Sequence, residues 1–443
     1  MKAIVTALMV LCLSVVELCA ANLPSPIVPN GVGMNVQWIT IISSETMTQF
    51  MGLGTGLIRT QGYWCNVEYG DPGNYYYGVE GSWGYDALYG QIHNTPGLRN
   101  LITLGLPAPA MYGTDHTSET WQNAYAAFAG NFAGHYYSKG YTGNIYEICN
   151  EPQGDVTGIG IPSVYVSLVQ KAYAAIKAAD PTSTVVAGST QNINNWVMQN
   201  SEGYYWLGQC AAHGLLDYCD AVSVHPYNGA DNPEMFVSRY ASMREAMLTN
   251  GGKVLPLVAT EWGVHTYDRI INGQPGVSEQ VQADYLVRYY LVNLSQGIPL
   301  SIAFDWQEDA NSGWGVMHAT SPLTPKPAYY AIQEMTASLQ GKSFSERLDI
   351  GNSNDWLLVF KNPDTEFETL AAWTTGVAHV VTLPKWGEVS LSSTPVFLST
   401  CEDQDQYFNA DLNRDCYVNV EDIVIFAQNW LECNDLQNET DCP

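Results

Sequence analysis

Basic residues are scarce in this sequence. The chain of 443 residues has 17 lysines and arginines against 44 aspartates and glutamates, which gives a formal charge of −27 at pH 7. Such an acidic protein repels polyphosphates, and no cluster of basic residues is present that would bind a phosphate backbone. We therefore expect no nucleic acid partner.

Long hydrophobic runs are also lacking, except at the N-terminus. There, Met1-Lys2 precede an apolar run from Ala3 to Val16, and small residues follow at Ala20 and Ala21. This run is too short to span a bilayer and is typical of a secretory signal peptide. We predict a signal peptide over residues 1–21, no membrane span, and a secreted protein in the extracellular space, at the cell surface or in the periplasm. A lipid anchor at Cys19 is the alternative.

Removal of the signal peptide would leave eight of the ten cysteines, an even number that suits an exported protein. Cys210 and Cys219 are close enough in sequence to form a disulfide. Cys65 and Cys149 are expected to be separate buried thiols, because an unpaired cysteine behaves as a small apolar residue. The other four cluster in the C-terminal tail.

Eight apolar, β-branched runs alternate with amphipathic segments over residues 22–342. From the fourth run to the seventh, they recur at intervals of about 37 residues, the length of one βα unit. No glycine-rich phosphate loop follows the first run, which argues against a doubly wound sheet. We predict an α/β fold, a (β/α)8 TIM barrel. The predicted strands are 34–38, 57–63, 101–106, 144–149, 184–188, 221–224, 255–260 and 300–304.

The pattern changes after Gly341. Four short alternating segments, 356–361, 369–374, 379–383 and 395–399, predict a small β-sandwich over residues 343–400. Residues 401–443 contain eleven acidic residues and a single basic one, Arg414, which predicts a third, separate module.

Polar residues close several of the predicted barrel strands, and an active site forms at this end of such barrels. The fourth strand ends at Asn150-Glu151 and the seventh at Glu261, so the two carboxylates are expected to face each other across the barrel mouth. Acetal hydrolysis needs a proton donor and a negative charge near the anomeric carbon, and two carboxyl groups about 5 Å apart supply both with retention of configuration. Glu151 and Glu261 are thus the predicted catalytic pair.

The same fold admits two other functions. A metal hydrolase could use His225, His265, Glu261 and Asp305 around zinc, but such barrels usually begin with His-x-His, and the first strand reads Met34-Asn-Val-Gln-Trp38. A non-catalytic carbohydrate-binding or adhesion protein would not need both glutamates.

Six motifs in order resemble the glycoside hydrolases of clan A, most closely families 39 and 5, over about residues 33–344. They are LIRTQGYW at Leu57, YEICNEP at Tyr146, DAVSVHPYN at Asp220, ATEWG at Ala259, IAFDWQED at Ile302 and PKPAYYAI at Pro325. The resemblance implies a retaining enzyme that needs no cofactor for catalysis and cuts a β-linked neutral polysaccharide internally. Exo action, as by a β-xylosidase, is the alternative. Loops 68–84 and 311–324 are expected to select the substrate.

The same resemblance implies roles for the residues at the strand ends. Glu151 would be the acid/base, with the higher pKa of the pair, Glu261 the nucleophile, and Asn150 a partner of the sugar 2-hydroxyl. The supporting residues would be Arg59, which keeps Glu261 ionised, His225 and Tyr227, which orient the carboxylates, and Trp306, a stacking platform beneath the cleaved sugar.

The acidic tail contains the spacing of a calcium-binding loop. Its oxygen ligands would come from Asp411, Asn413, Asp415, the carbonyl of Tyr417, Asn419 and Asp422. The segment resembles one repeat of a type I dockerin module. This predicts a structural Ca2+ ion, an amphipathic helix from Val420 to Leu431, and a cohesin-like or cell-surface partner.

Overall fold

The computed structural model describes residues 23–37, 41–78, 84–191, 203–271, 274–308, 313–364 and 367–400, and positions 420, 423, 424, 426 and 427. The chain divides into two compact units, Met1–Gln340 and Gly341–Pro443. The predicted signal peptide lies outside the described residues. Within them, no helix combines the length and apolar character needed to cross a membrane.

The first unit contains eight parallel strands that close into a barrel in the order of the chain. Helices alternate with these strands, so the predicted (β/α)8 fold is confirmed. The strands are β1 Val32–Asn35, β2 Leu57–Tyr63, β3 Arg99–Gly105, β4 Ile145–Ile148, β5 Thr184–Thr190, β6 Ala221–Val224, β7 Leu257–Trp262 and β8 Ser301–Ala303.

The helices of this unit begin with the expected end signals. The Oγ atoms of Ser118 and Ser278 accept the backbone N–H of Trp121 and Val281 at the first turns of α4 and α8, and Pro162 and Pro327 open α5 and α9. The bounds are α1 Ser44–Met51, α2 Trp64–Val67, α3 Tyr85–His93, α4 Glu119–Ser138, α5 Pro162–Ala179, α6 Gly203–Ala212, α7 Phe236–Gly251, α8 Glu279–Ser295 and α9 Pro327–Ser338.

The interior of the barrel changes from apolar to polar along its axis. One cluster of buried side chains from β2 to β8 forms an apolar layer: Leu57, Leu101, Ile145, Val186, Ala221, Val258, Leu300 and Ile302. Successive inward positions on a strand are two residues apart. A buried polar residue follows two positions after five members of the apolar layer. We call this set the polar layer: Arg59, Thr103, Glu147, Ser223 and Thr260.

The second unit contains a four-stranded antiparallel sheet in the order β11-β12-β13-β16 and a hairpin, β14-β15. Both contribute to one apolar core, which includes Leu357, Leu370 and Val389. Strands β11 and β15 were not predicted because they are short, polar and largely exposed. The bounds are β11 Ser343–Arg347, β12 Asp355–Lys361, β13 Glu368–Thr374, β14 His379–Leu383, β15 Gly387–Leu391 and β16 Val396–Thr400; in the first unit, β9 Met317–His318 pairs with β10 Thr324–Pro325.

The cysteines of the barrel unit are unpaired thiols wherever the structure describes them. The suggested disulfide between Cys210 and Cys219 is therefore wrong. Both thiols are buried, in α6 and just before β6, where each acts as a small apolar side chain. All four cysteines of the tail lie outside the described residues.

Candidate active site

Glu151 and Glu261 lie at the C-terminal ends of β4 and β7. Three atoms lie within 4.8 Å of one another: one carboxylate oxygen of Glu151, one of Glu261 and one ring nitrogen of His225. The side chains are partly open to solvent, at 28% for Glu151 and 14% for Glu261. This spacing is close to that of retaining glycosidases, and inverting enzymes need 6.5 Å or more, in rough terms, to admit a water molecule.

The backbone at these strand ends departs from regular strand geometry. Cys149 and Glu151 have φ angles of 61° and 47°, and Ser189 at the end of β5 has 45°. Such left-handed conformations are unfavourable for residues other than glycine and cluster at functional sites. The pairing of β7 with β8 also shifts in register between Ala259 and Trp262, and Glu261 lies within this irregular segment.

Both oxygens of Glu261 accept hydrogen bonds. Arg59 Nη1 donates to Oε2 at 2.7 Å, and the Tyr227 hydroxyl donates to Oε1 at 2.8 Å. The pKa of Tyr227 lies well above its usual value, because the residue is buried and the charge of Glu261 adds to the effect. Tyr227 therefore remains a neutral donor, and Glu261 is held as an acceptor in one orientation.

Arg59 uses all five of its N–H donors. Besides Glu261, it donates from Nη1 to Asn35 Oδ1 at 3.0 Å and from Nη2 to Asn150 Oδ1 at 2.7 Å. Nε and Nη2 donate to Glu147 Oε2 at 3.0 and 2.8 Å. Burial lowers the pKa of Arg59, but the charges of Glu147 and Glu261 outweigh it, so the net pKa is raised and the guanidinium stays charged.

Glu151 forms an ion pair with His225. The Glu151 Oε1 atom lies 2.8 Å from His225 Nδ1, and His225 Nε2 lies 3.0 Å from Ser189 Oγ. Burial lowers the pKa of His225, but the charge of Glu261 and the bond to Glu151 raise it above the usual value. The pair therefore retains a proton on the imidazole.

This pair changes the expected acidity of Glu151. Burial raises the pKa of the Glu151 carboxyl, but the hydrogen bond and charge of His225, with a contribution from Arg59, lower it below its usual value. In the free enzyme the direction is thus opposite to the raised pKa expected of a general acid. The reason is that protonated His225 contacts Glu151 and stabilises its carboxylate form. The sequence places both residues at strand ends but does not show that they are in contact.

Trp306 is not brought into this group. Its indole is 1% exposed and packs edge-on against Phe50 of α1, with ring centroids 5.3 Å apart. A platform for a sugar needs an open ring face, so the predicted role of Trp306 does not fit its position. Phe304, two residues earlier, is partly exposed and packs edge-on against Trp314, which in turn contacts Tyr227.

The zinc-site alternative does not fit the described residues. His265 Nε2 lies 2.9 Å from the carbonyl of Gln274, and Asp305 accepts a hydrogen bond from the backbone N–H of Trp306. Neither joins Glu261, whose Oε2 instead contacts a guanidinium. The permanent positive charge of Arg59 beside Glu261 Oε2 repels a second cation, so a zinc ion is unfavourable there.

Several site residues escaped the sequence analysis, namely Asn35, Thr103, Glu147, Ser189, Thr260 and Phe304. Of these, only Glu147 carried a usable signal, because it is a carboxylate inside an otherwise apolar strand. Part of each predicted substrate loop, residues 79–83 and 311–312, lies outside the described residues, as do the six predicted calcium ligands Asp411, Asn413, Asp415, Tyr417, Asn419 and Asp422.

Comparison with known proteins agrees with this geometry. A family model described as cellulase, glycosyl hydrolase family 5, matches residues 91–297, a span that includes β3 to β7 and both carboxylates. A search of curated proteins found no match.

Solved structures share the fold. A family 39 glycoside hydrolase from the gut symbiont Bacteroides cellulosilyticus WH2 has a TM-score of 0.62 at 21% identity, over 80% of this chain and 77% of that chain. The catalytic domain of family 30 xylanase C from Talaromyces cellulolyticus has a TM-score of 0.57 at 15% identity, over 83% of this chain and 90% of that chain. A monomeric β-xylosidase from Caulobacter crescentus CB15 has a TM-score of 0.56 at 18% identity, over 81% of this chain and 80% of that chain. Together, the family model over residues 91–297 and the paired carboxylates at the mouth of the barrel indicate that the protein is a glycoside hydrolase.

Proposed function

We propose that the protein is a secreted retaining enzyme that cleaves internal β-glycosidic bonds of a neutral polysaccharide by double displacement. The observation that carries this proposal is the separation of at most 4.8 Å between one carboxylate oxygen of Glu151 and one of Glu261. That distance leaves no room for a water molecule between a base and the sugar, and it suits direct attack by a carboxylate. The strong negative charge of the protein favours a neutral polymer over an acidic one.

In the first step, Glu261 attacks the anomeric carbon while the glycosidic oxygen leaves with a proton. That proton passes from His225 Nδ1 to Glu151 Oε1 along their 2.8 Å contact, and then from Glu151 to the leaving oxygen. In the second step, Glu151 removes a proton from water and returns it to His225 Nδ1, while the water oxygen attacks the anomeric carbon and displaces Glu261 as a carboxylate. Both steps invert the anomeric carbon, so the configuration is retained overall.

The sugar is oriented by groups around the two carboxylates. Because Asn150 Oδ1 is occupied by Arg59, its Nδ2 group is the end that donates to the sugar 2-hydroxyl. Phe304, in place of Trp306, supplies the apolar ring that meets the sugar.

Trapping of the covalent intermediate tests this proposal. An activated 2-deoxy-2-fluoro-β-glycoside forms the intermediate but slows its hydrolysis, so the intact protein should gain the mass of one fluorosugar. The modified peptide should contain Glu261. A panel of gluco, manno and xylo reagents covers the neutral sugars, and a label on any other residue, or on none with a substrate that is turned over, would contradict the mechanism.

A second candidate is an exo-acting β-xylosidase. It is favoured by the Caulobacter crescentus β-xylosidase, whose fold this chain shares. The product profile on a single xylan or glucan over time separates the two modes. Endo action gives a rapid fall in viscosity and mixed oligosaccharides, whereas exo action releases only the terminal sugar at first.

The proton-donor role of Glu151 predicts a dependence on the leaving group. Glu151→Ala should slow glycosylation by about 10^2- to 10^4-fold for an alkyl or sugar leaving group, but far less for dinitrophenolate, which leaves without a proton. Pre-steady-state bursts with both substrates measure this step. Wild-type activity should fall as pH rises and the Glu151–His225 pair loses its proton, and this alkaline limb should vanish for dinitrophenyl substrates. Equal losses with both leaving groups would rule out Glu151 as the acid.

We also propose that the tail binds one calcium ion through the six predicted ligands and docks to a cohesin-like or cell-surface partner. The described tail positions, including Val420, Ile423 and Val424, are helical, as expected for the segment that follows the loop.

Calorimetry on the full chain after treatment with EDTA should give one calcium site per molecule, because a divalent cation relieves repulsion among clustered carboxylates. The heat should disappear in Asp411→Ala/Asp415→Ala, while glycosidase activity stays unchanged. An unaltered calcium signal in that variant would place the ion elsewhere, and no signal in the wild type would leave the tail without calcium.

A further inference from the structure

Glu147 is a fully buried carboxylate that neither step of the proposed mechanism uses. It lies in the middle of β4, four residues before Glu151, and its side chain is 0% exposed. It belongs to the polar layer, which separates the apolar layer of the barrel from the open mouth. A buried carboxylate is unfavourable unless it is paired and hydrogen-bonded, so its partners indicate its purpose.

Glu147 is surrounded by donors. Oε2 accepts hydrogen bonds from Arg59 Nε and Nη2 and, at 2.8 Å, from Thr103 Oγ1. Oε1 accepts one from Thr260 Oγ1 at 2.7 Å. Burial raises the pKa of Glu147, but Arg59 and His225 outweigh it and the net pKa is lowered, so the group is a permanent anion.

The contacts of Arg59 divide between two sides. Its Nε and Nη2 atoms are held from below by Glu147, and its remaining hydrogens point to Glu261, Asn150 and Asn35. A guanidinium is planar and rigid, so fixing one edge fixes the direction of the others. Glu147 thereby sets where Arg59 presents charge to Glu261 and to the Asn150 amide.

We propose that Glu147 is a positioning residue for glycosyl transfer: it clamps Arg59 so that the guanidinium holds Glu261 in line for attack and Asn150 toward the sugar. The inference rests on the proposed role of Glu261 as nucleophile. Glu147 itself touches no substrate, because it is closed off behind Arg59. Its loss should therefore act on the rate of glycosylation and leave KM nearly unchanged.

Glu147→Gln tests the proposal, because glutamine has the same shape but removes the negative charge that holds the guanidinium and leaves one acceptor oxygen in place of two. Glycosylation, measured as the burst of an aryl β-glycoside, should slow by about 10^2-fold, the effect of a misplaced reacting group. The KM of the same glycoside should stay nearly unchanged, because Glu147 does not contact the substrate.

The matched control is Glu234→Gln. Glu234 forms a bidentate ion pair with Arg288, with side-chain exposures of 8% and 1%. Its loss should lower stability but leave the rate of the burst unaltered. A purely structural role for Glu147 predicts the same for Glu147→Gln, and that result would overturn the proposal.

Thr103→Val keeps the test decisive if Glu147→Gln does not fold. It removes only the hydroxyl that donates to Glu147 Oε2, and should slow glycosylation by about 3- to 10-fold, as expected for one hydrogen bond. Labelling of wild-type Glu261 by the fluorosugar separates the two proposals. If Glu261 is labelled but both variants react at the wild-type rate, the positioning role is wrong; if Glu261 is never labelled, the proposed function itself fails.

Discussion

Glu261→Ala should lose glycosidase activity by about 10^4-fold or more, the scale seen when a covalent nucleophile is removed. The variant should fold normally, because Glu261 is partly exposed at the strand end and its removal leaves one carboxylate, Glu151, in place of two neighbouring ones. Circular dichroism and the thermal midpoint check the fold, and kcat/KM with an aryl β-glycoside checks the loss.

Azide supplies the control for this variant. The space left by the carboxylate can admit a small anion beside Arg59. This anion attacks the anomeric carbon once, and the product is not hydrolysed further. Azide should therefore restore turnover in Glu261→Ala and give the α-glycosyl azide, but should not accelerate the wild type. Ordinary activity in Glu261→Ala without azide would exclude Glu261 as the nucleophile.

Arg59→Met should have the largest effect on stability. Arg59 and Glu147 are both 0% exposed and 2.8 Å apart, so removal of the cation leaves a buried anion without its counter-charge. Breaking such a pair from one side costs about 3–5 kcal/mol of unfolding free energy. Urea denaturation followed by circular dichroism measures the difference.

Two further variants distinguish this cause from a general loss of packing. Arg59→Met/Glu147→Met removes both charges and should recover part of the loss, because the uncompensated anion is then absent. Lys253→Met removes the exposed pair with Asp217, whose side chains are 45% and 65% exposed, and should change the unfolding free energy by less than about 0.5 kcal/mol. A double variant less stable than Arg59→Met would refute the electrostatic explanation.

The barrel could be predicted because each strand is an apolar, β-branched run bounded by turns and helix signals. Eight such runs fix the architecture, even where bounds were off: β1 begins at Val32, two residues before its predicted start. Strand ends then predicted Glu151 and Glu261, because the fold alone places those positions at the barrel mouth.

Interactions across the barrel could not be predicted in the same way. Glu147 and Arg59 are 88 residues apart, and no local pattern pairs them before the strand order is known. The contact between His225 and Glu151 spans 74 residues and reverses the expected pKa of the acid. The direction in which Trp306 points depends on the backbone after β8. There, the ring of Phe304 is partly exposed, whereas the ring of Trp306, two residues later, is buried.

The anomeric configuration of the first-formed product tests the paired-carboxylate mechanism most directly. Proton NMR of an aryl β-glycoside or β-linked oligosaccharide, recorded within minutes of adding enzyme, separates the β-product from its α-form before mutarotation mixes them. With oxygens of Glu151 and Glu261 at most 4.8 Å apart, we predict that the β-anomer appears first and the α-anomer grows only at the rate of mutarotation. Initial release of the α-anomer would show that water attacks directly, and would contradict a covalent intermediate on Glu261.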